Sequence, residues 1–475
     1  MRARIASCAS CAACAAIAVA AGCASTRPVP PARAEGAPRD RWTIAVPSTL
    51  RALPEVQALV RARRDRFEVQ VVEFDATAGA ADSRLAALRA QLASAAPAAG
   101  ASEHLLVVGS PSTVPMGPWR FEGVDAPIST DWLLTGDCPV ADGTVRQDDW
   151  QPRMRSAPRR TVGRIPFDDP RLVAAAASAT LERERASAAA TGFALLGAAG
   201  TGYAWPLASA RRELRAAGWD ARLDGHGGSC DLPADAFDAD WRTADAARRP
   251  ALVVAAGPQY EPLDDSGQAR GIRWILRTSP WNGRTAPGSG AASVLVAYSP
   301  GFARPANPDL ADLFGSGQVA AIAGFTGDVS ASPLGPALET IRDFPRVLAD
   351  GMALGPAMER ERSHYWRSAS GDIVAWMPSA QQDRAIAALS AVLYGDPALQ
   401  ASRVQAASAD AGRTVDARTE GVSIVIAEDD AGQDAGSPDG DGAARPGSRS
   451  FALTTALFAV AIALLAAFVS RRKQG

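Results

Sequence analysis

The chain has 475 residues, of which 47% are hydrophobic and 21% charged. This length and composition are typical of a globular protein with one large domain or two medium ones. The formal net charge of −2 provides no basic footprint, so nucleic acid is excluded as an expected partner.

The first 23 residues predict a secretory signal. Arg2 and Arg4 precede a short apolar stretch that ends at Cys23, after which a polar, Pro-rich segment begins. Ala20-Ala21-Gly22-Cys23 also resembles a bacterial lipobox, in which the cysteine is lipidated. Ordinary cleavage nearby is the alternative. Residues 24–40, rich in Pro, Ala and Arg, form a predicted linker.

Alternating strands and helices fill the predicted first half, residues 41–189. Apolar β-rich runs predict strands, and apolar residues at helical spacing predict helices. The predicted strands are 43–46, 67–74, 105–108 and 162–165, and the predicted helices are 53–66, 82–93 and 171–188. This order implies parallel βαβ units whose helices cover both faces of a sheet.

The predicted second half, residues 190–400, continues the alternation. The predicted strands are 193–196, 252–256, 294–297 and 319–323, and the predicted helices are 207–217, 338–348 and 385–393. Apolar strands of this length suit a sheet buried on both faces. We therefore predict an α/β fold with two sheet-containing halves that meet near residue 190.

The pattern ends at residue 400. In residues 401–450, an acidic Gly/Ser/Pro tract begins at Glu428-Asp429-Asp430 and predicts a disordered stalk. Residues 451–470 carry no charge until a basic end, so we predict a transmembrane helix with residues 471–475 as a cytoplasmic tail. A processed sorting signal shares this pattern and is the alternative. Both interpretations place the body outside the cytoplasm.

Several enzyme classes lack their motifs in this sequence. His104, His226 and His364 are the only histidines, and none has metal-ligand spacing, which argues against a zinc site. The sequence contains no Gly-x-Ser-x-Gly elbow and no Walker-type phosphate loop. We predict neither a metal nor a cofactor.

The exported body contains two cysteines, Cys138 and Cys230. In an oxidising compartment two such residues can form a disulfide. Two separate thiols are the alternative, and the sequence leaves the choice open.

Turn-forming residues follow the predicted strands, at the end of a parallel sheet where ligands bind. Several motifs occur in order between Trp42 and Leu399. They are His104–Gly109 followed by Val114-Pro115, Thr130-Asp131-Trp132, Pro158 with Val162–Pro166, a following helix with Glu182, and Tyr394–Leu399. In this order and spacing the chain resembles the gingipain-type cysteine peptidases. The resemblance implies a caspase-like α/β/α sandwich.

The resemblance also implies a cysteine nucleophile and a histidine that carries its proton, with an acidic residue that can assist the histidine. Here the cysteine position holds Tyr298, three residues before Gly301. The histidine position holds Pro258, and the acidic position holds Arg159. Proline carries no proton, a phenol is no substitute for a thiol, and arginine stays charged. We interpret the chain as a degenerate peptidase fold.

A rival interpretation keeps the chemistry. Gly225–Cys230 contains His226 and Cys230 and matches the family's Gly-His-Gly motif. An active peptidase could use this pair or a shifted dyad. However, we predict a Gly-rich surface loop over 222–231, because no apolar strand with a second cysteine follows it. His104 is expected to cap or pack at its strand, and His364 to be structural or exposed.

The leading hypothesis is an exported, membrane-anchored pseudopeptidase of the cell envelope. It would bind a peptide or protein at the strand ends, and it would contact the membrane through the C-terminal helix and through Cys23 if that residue is lipidated. The other hypotheses are an active cysteine endopeptidase and a structural envelope protein with no ligand in the cleft.

Overall fold

The computed structural model of the chain describes the body and leaves out both ends. It covers residues 39–94, 101–121, 128–135, 144–145, 160–187, 192–199, 203–226, 250–257, 292–327, 340–369 and 378–401. The predicted signal, the acidic stalk and the predicted transmembrane segment lie outside these ranges. Among the helices described, none is long and apolar enough to cross a membrane.

Strands alternate with helices over most of the described chain. The strands, β1 to β13, are Arg41–Pro47, Glu68–Phe74, Glu103–Val108, Gly117–Phe121, Ile128–Thr130, Thr144–Val145, Arg160–Ile165, Phe193–Ala199, Asp220–His226, Leu252–Ala256, Ser293–Tyr298, Val319–Phe325 and Ala391–Tyr394. The helices, α1 to α9, are Ser48–Arg51, Pro54–Arg64, Ala81–Ser94, Pro170–Ser187, Ala204–Ala216, Pro308–Gly315, Asp343–Ala349, Leu354–Ala369 and Pro378–Ser390. A 3₁₀ turn covers Trp132–Leu134.

Ten strands form one mixed sheet in the order β2-β1-β3-β7-β13-β12-β11-β10-β8-β9. The four strands on one side of β13 pair in parallel with one another, and so do the five on the other side. β13 is antiparallel to β12 and meets β7 at a single register position, Tyr394 beside Arg164. A separate three-stranded sheet has the order β5-β4-β6.

The expected pair of sheets is therefore one continuous sheet. The two predicted halves are joined by β13, which the sequence pattern placed within a helix at 385–393. The helix ends at Ser390 instead, and the apolar run Ala391–Tyr394 is fully buried between β12 and β7. A four-residue apolar run fits a helix or a buried strand equally well, and here the tertiary environment decides.

Helices pack on both faces of the sheet. Along β11, Val294, Val296 and Tyr298 belong to one buried cluster, with α5, α7, α8 and α9. The alternate residues Leu295 and Ala297 belong to a second cluster, with α2, α4 and α6. Strand pleating produces this alternation, so an entirely apolar strand is buried on both faces, as the sequence predicted.

Close backbone approach fixes the joint between β13 and β7. A Cβ added at Gly163 would lie 2.2 Å from Gly395 O and 2.9 Å from Pro397 Cδ. Gly395 has φ +127°, a conformation that L side chains rarely adopt. Only glycine fits at either position, so the two motif glycines allow β13 to enter the sheet.

Candidate functional site

Loops from both sides of β13 converge on one side chain, Tyr394. Its hydroxyl donates to Ala303 O, 2.8 Å away, in the loop after β11. The same hydroxyl lies 3.9 Å from Met116 Sδ, in the loop after β3. The ends of strands from the two predicted halves therefore meet at a common edge, as a single cleft requires. We call the C-terminal ends of β3, β7 and β11, together with the loops that follow them, the carboxyl edge.

A buried guanidinium holds the first-half motifs together beneath this edge. Arg164 Nε lies 3.1 and 2.9 Å from the two carboxylate oxygens of Asp131, and its Nη2 lies 2.5 Å from Oδ1. Its Nη1 donates to Gly109 O and Val114 O at 2.8 and 2.9 Å. Four segments that carry the resemblance are thus tied by one side chain, in a structural role.

The Gly-Asp-Pro motif has a comparable role. Asp396 is fully buried and accepts hydrogen bonds from Trp42 Nε1 at 3.0 Å, Arg63 Nε at 2.8 Å and Ala398 N at 2.9 Å. Arg63 also pairs with Glu184 at 2.6 Å. The carboxylate is saturated by donors and has no route to a substrate.

Among the acidic residues of α4, the buried one is Glu184. The sequence motif singled out Glu182, which is exposed. Glu184 pairs with Arg63 and also with Arg66, at 2.8 Å. The two glutamates differ by two helix positions, so they point to opposite sides of α4.

Tyr298 occupies the position at which the resemblance expects a nucleophile. It ends β11 and is 1% exposed, and its ring centroid lies 6.4 Å from that of Phe325. Burial raises the pKa of Tyr298 well above its ordinary value, and the nearby charge of Glu361 raises it further. The phenol stays protonated and faces the core.

A buried polar cluster lies next to this tyrosine. Glu361 Oε1 accepts from Thr340 Oγ1 at 2.5 Å and from Tyr365 OH at 3.0 Å, and the two hydroxyls are 2.8 Å apart. Burial raises the pKa of Glu361 to about 7, although both hydrogen bonds favour the charged form. Sequence reasoning missed this group. Its only signal is the four-residue spacing of Glu361 and Tyr365 on α8.

The exposed polar groups at the carboxyl edge gather after β3 and β7. Asp168 Oδ1 accepts from Ser110 N at 2.9 Å, and Oδ2 accepts from Ser110 Oγ at 2.5 Å. Ser112 Oγ lies 2.6 Å from Ser110 Oγ. Partial burial acts to raise the pKa of Asp168, but hydrogen bonds led by those from Ser110 lower it overall. The carboxylate is therefore charged and partly accessible.

His226 ends a strand, which corrects the first part of the loop predicted over 222–231, whereas residues 227–231 lie outside the described ranges. Residues 220–226 form β9, paired in parallel with β8, with His226 beside Ala199. Ala221 and Leu223 are buried. Sequence analysis overlooked this short alternation of apolar and polar residues, which favours a strand. Two strands, β8 and β10, separate β9 from β11, so three strand spacings, about 14 Å, lie between the backbones of His226 and Tyr298.

The remaining histidines have other environments. His104 lies within β3 and is buried, with Nδ1 2.9 Å from Thr161 Oγ1 and its ring edge-on to Phe67. Burial lowers the pKa of His104, which keeps it neutral. His364 is exposed on α8. Packing for His104 and exposure for His364 agree with the sequence analysis.

The other predicted site residues lie outside the described ranges. They are the substituted positions Arg159 and Pro258, the cysteines Cys138 and Cys230, and the lipidation candidate Cys23. That proline replaces the proton-carrying histidine, and that Cys138 and Cys230 form a disulfide, therefore stay predictions. Within the described ranges, no three metal-ligating side chains cluster closely enough to hold an ion.

No protein-family model and no curated protein matches this chain. Two solved structures are similar in fold. One is the Arg-specific cysteine proteinase gingipain R (RGPB), at 14% identity and TM-score 0.48, and the other is described as a protease, at 9% identity and TM-score 0.48. Each alignment covers 76% of this chain and 78% of the other. Neither assigns an activity to this chain.

We expect Glu361→Gln to remove a pH dependence of stability. The pKa of Glu361 in the folded chain, about 7, lies above its ordinary value of 4.5. The folded state therefore favours the neutral acid. This contribution is complete below about pH 4.5 and is lost as pH rises through 7, by about 3 kcal/mol in total.

Urea unfolding of the wild type and of Glu361→Gln between pH 5 and 8 tests this expectation. The wild type should lose stability relative to the glutamine variant as pH rises. Parallel curves for the two proteins would contradict a raised pKa of Glu361 in the folded chain.

Proposed function

We propose that this chain is a pseudopeptidase of the cell envelope that binds a peptide or protein partner without cleaving it. The observation that carries the proposal is the state of Tyr298. Within the described ranges its hydroxyl is buried without a hydrogen-bond partner, and burial together with the charge of Glu361 raises its pKa, so it stays protonated. A side chain in this state cannot attack a carbonyl, since a nucleophile must reach the substrate and lose its proton.

The described strands and loops around this position are held by buried ion pairs, which supports retention of a binding surface. The Arg164–Asp131 ion pair organises the loops that border the carboxyl edge. Several polar side chains are exposed there, including Ser112, Asp168 and Arg304. They include a carboxylate, a guanidinium that also donates to Thr326 O, and a hydroxyl, and this set matches the mixed polarity of a peptide.

The envelope location in this proposal rests on the sequence. The apolar residues that end at Cys23 support export, and the uncharged segment 451–470 followed by a basic tail supports anchoring. The proposed partner would bind the domain outside the cytoplasm. The chain would be anchored there by its C-terminal helix or, if the C-terminus is a processed sorting signal, attached after its removal.

A second candidate function is an active cysteine peptidase that uses His226 and Cys230. The observation in its favour is that Gly225-His226 ends a parallel strand, β9, as the resemblance expects for the catalytic histidine. Against it, β9 is the edge strand of the sheet rather than a neighbour of β11. A dyad four residues apart on one segment would also differ from the two-loop arrangement of the family.

Peptide cleavage separates these two functions. The full chain in a non-ionic detergent should leave a broad peptide library intact, both before and after treatment with a reducing agent. Cleavage that is abolished by thiol alkylation and by Cys230→Ser or His226→Ala would contradict the pseudopeptidase. If Cys230→Ser only lowers the unfolding temperature of an inactive chain, a structural cysteine is the explanation.

Binding is the second test. Peptides selected on the wild-type chain from a displayed library should lose at least about tenfold in affinity when Ser112→Trp covers the carboxyl edge, a penalty of about 1.4 kcal/mol. Ser94→Trp, at an exposed position near the end of α3, is the matched control and should bind normally. Equal binding by the two variants would place the partner elsewhere. No selected peptide at all would favour a purely structural protein.

A further inference from the structure

One buried arginine in the described ranges has no partner. Arg183, on the second half of α4, is 5% exposed. Its Nε is buried without a hydrogen-bond partner, and within the part of the chain described its guanidinium makes no hydrogen bond or ion pair. A charge in this environment requires an explanation, because burial removes much of its hydration and no group in the described part of the chain replaces it.

The other buried arginines show how this fold treats a guanidinium. Among the described residues four more are buried: Arg63, Arg160, Arg164 and Arg362. Each pairs with at least one carboxylate, namely Glu184 and Asp396, Glu103, Asp131 and Glu359 respectively. Arg183 is the exception to a consistent pattern.

Arg183 also stays charged where it lies. Burial lowers its pKa to about 10, with no opposing charge among the causes. The side chain is therefore cationic at every pH near neutrality, so loss of the proton does not relieve the unpaired charge.

The helix presents this guanidinium inward. Ala179 and Ser187 lie one turn before and one turn after Arg183 and are buried with it, so all three share the inward stripe of α4. The neighbouring hydroxyls do not satisfy it, because Thr180 and Ser187 donate to carbonyls of their own helix.

Arg183 lies away from the carboxyl edge. Adjacent Glu184 contacts Arg63 and Arg66, which lie at the end of α2 just before β2 begins. This part of α4 therefore borders the edge at which the strands start. A ligand held here would not compete directly with a partner at the carboxyl edge.

We propose that Arg183 is the anchor of a separate site for an oxyanion, the carboxylate or phosphate group of a ligand bound where the strands begin. A guanidinium presents a planar set of donors that matches both groups with two parallel hydrogen bonds. Such a ligand would supply the counter-charge that the four other buried arginines obtain within the chain.

Anion-dependent stability tests this site. The full chain in non-ionic detergent is unfolded by heat while inorganic phosphate or acetate replaces chloride at constant pH and ionic strength. Free anion at ten times its Kd should raise the folding equilibrium constant about elevenfold and then approach saturation. The response should persist in Arg185→Met, an exposed position on the same helix, and disappear in Arg183→Met.

Two variants of Arg183 give the results that would support or contradict this proposal. In chloride alone, Arg183→Met should be at least as stable as the wild type, since methionine fills the space without a buried charge. If it fails to fold, Arg183→Lys keeps the charge but lacks the fork and should bind at least tenfold more weakly. A response to phosphate alone identifies a phosphate ligand, and a response to acetate identifies a carboxylate. Equal responses in all variants, or no saturable response, would overturn the proposal.

Discussion

The carboxyl edge of this protein depends on the buried ion pair between Arg164 and Asp131. One guanidinium neutralises the carboxylate and, at the same time, holds the carbonyls of Gly109 and Val114. Removing one partner from such a pair leaves an unpaired buried charge, which typically costs 3–5 kcal/mol. The segments after β3 and after β5 therefore have one low-energy arrangement relative to β7. A binding surface built on these loops is organised before any ligand arrives.

A second buried ion-pair network lies at the opposite edge of the sheet, where the strands begin. Arg63, on α2, joins Asp396 beyond β13 to Glu184 on α4 and links parts of the chain that are 333 residues apart. A buried pair of this kind is not strong evidence for stability, because desolvation offsets most of the Coulomb energy. It does restrict which alternative folds are possible, since any arrangement that separates the partners leaves a buried charge unpaired. The insertion of β13 is held in this way.

Sequence patterns were sufficient for the elements with continuous apolar runs. β1, β3, β7, β10, β11 and β12 lie where they were predicted, because burial on both faces demands an unbroken apolar strand. The pattern failed for Ala391–Tyr394, where a short apolar run continued a helical spacing, and for β9, which has only two buried apolar residues before its Gly-rich end.

The candidate site was less predictable, for a different reason. The motifs located Asp131, Arg164 and Asp396, but not that all three are buried and paired. Local spacing contains no signal for Arg63, whose partners lie 121 and 333 residues away. The raised pKa of Glu361 depends on the burial that tertiary packing creates. Chemistry set by distant contacts cannot be read from neighbouring residues.

The central claim is that the position expected to hold a nucleophile is closed by a protonated, buried tyrosine. The most direct measurement is the intact mass of the folded full chain after incubation with a thiol-reactive peptidyl ketone under reducing conditions. We expect the unmodified mass, because the position expected to carry the thiol holds Tyr298 and a buried phenol does not react with the ketone. One stoichiometric adduct on Cys230 that forms in the wild type but not in His226→Ala would contradict the account.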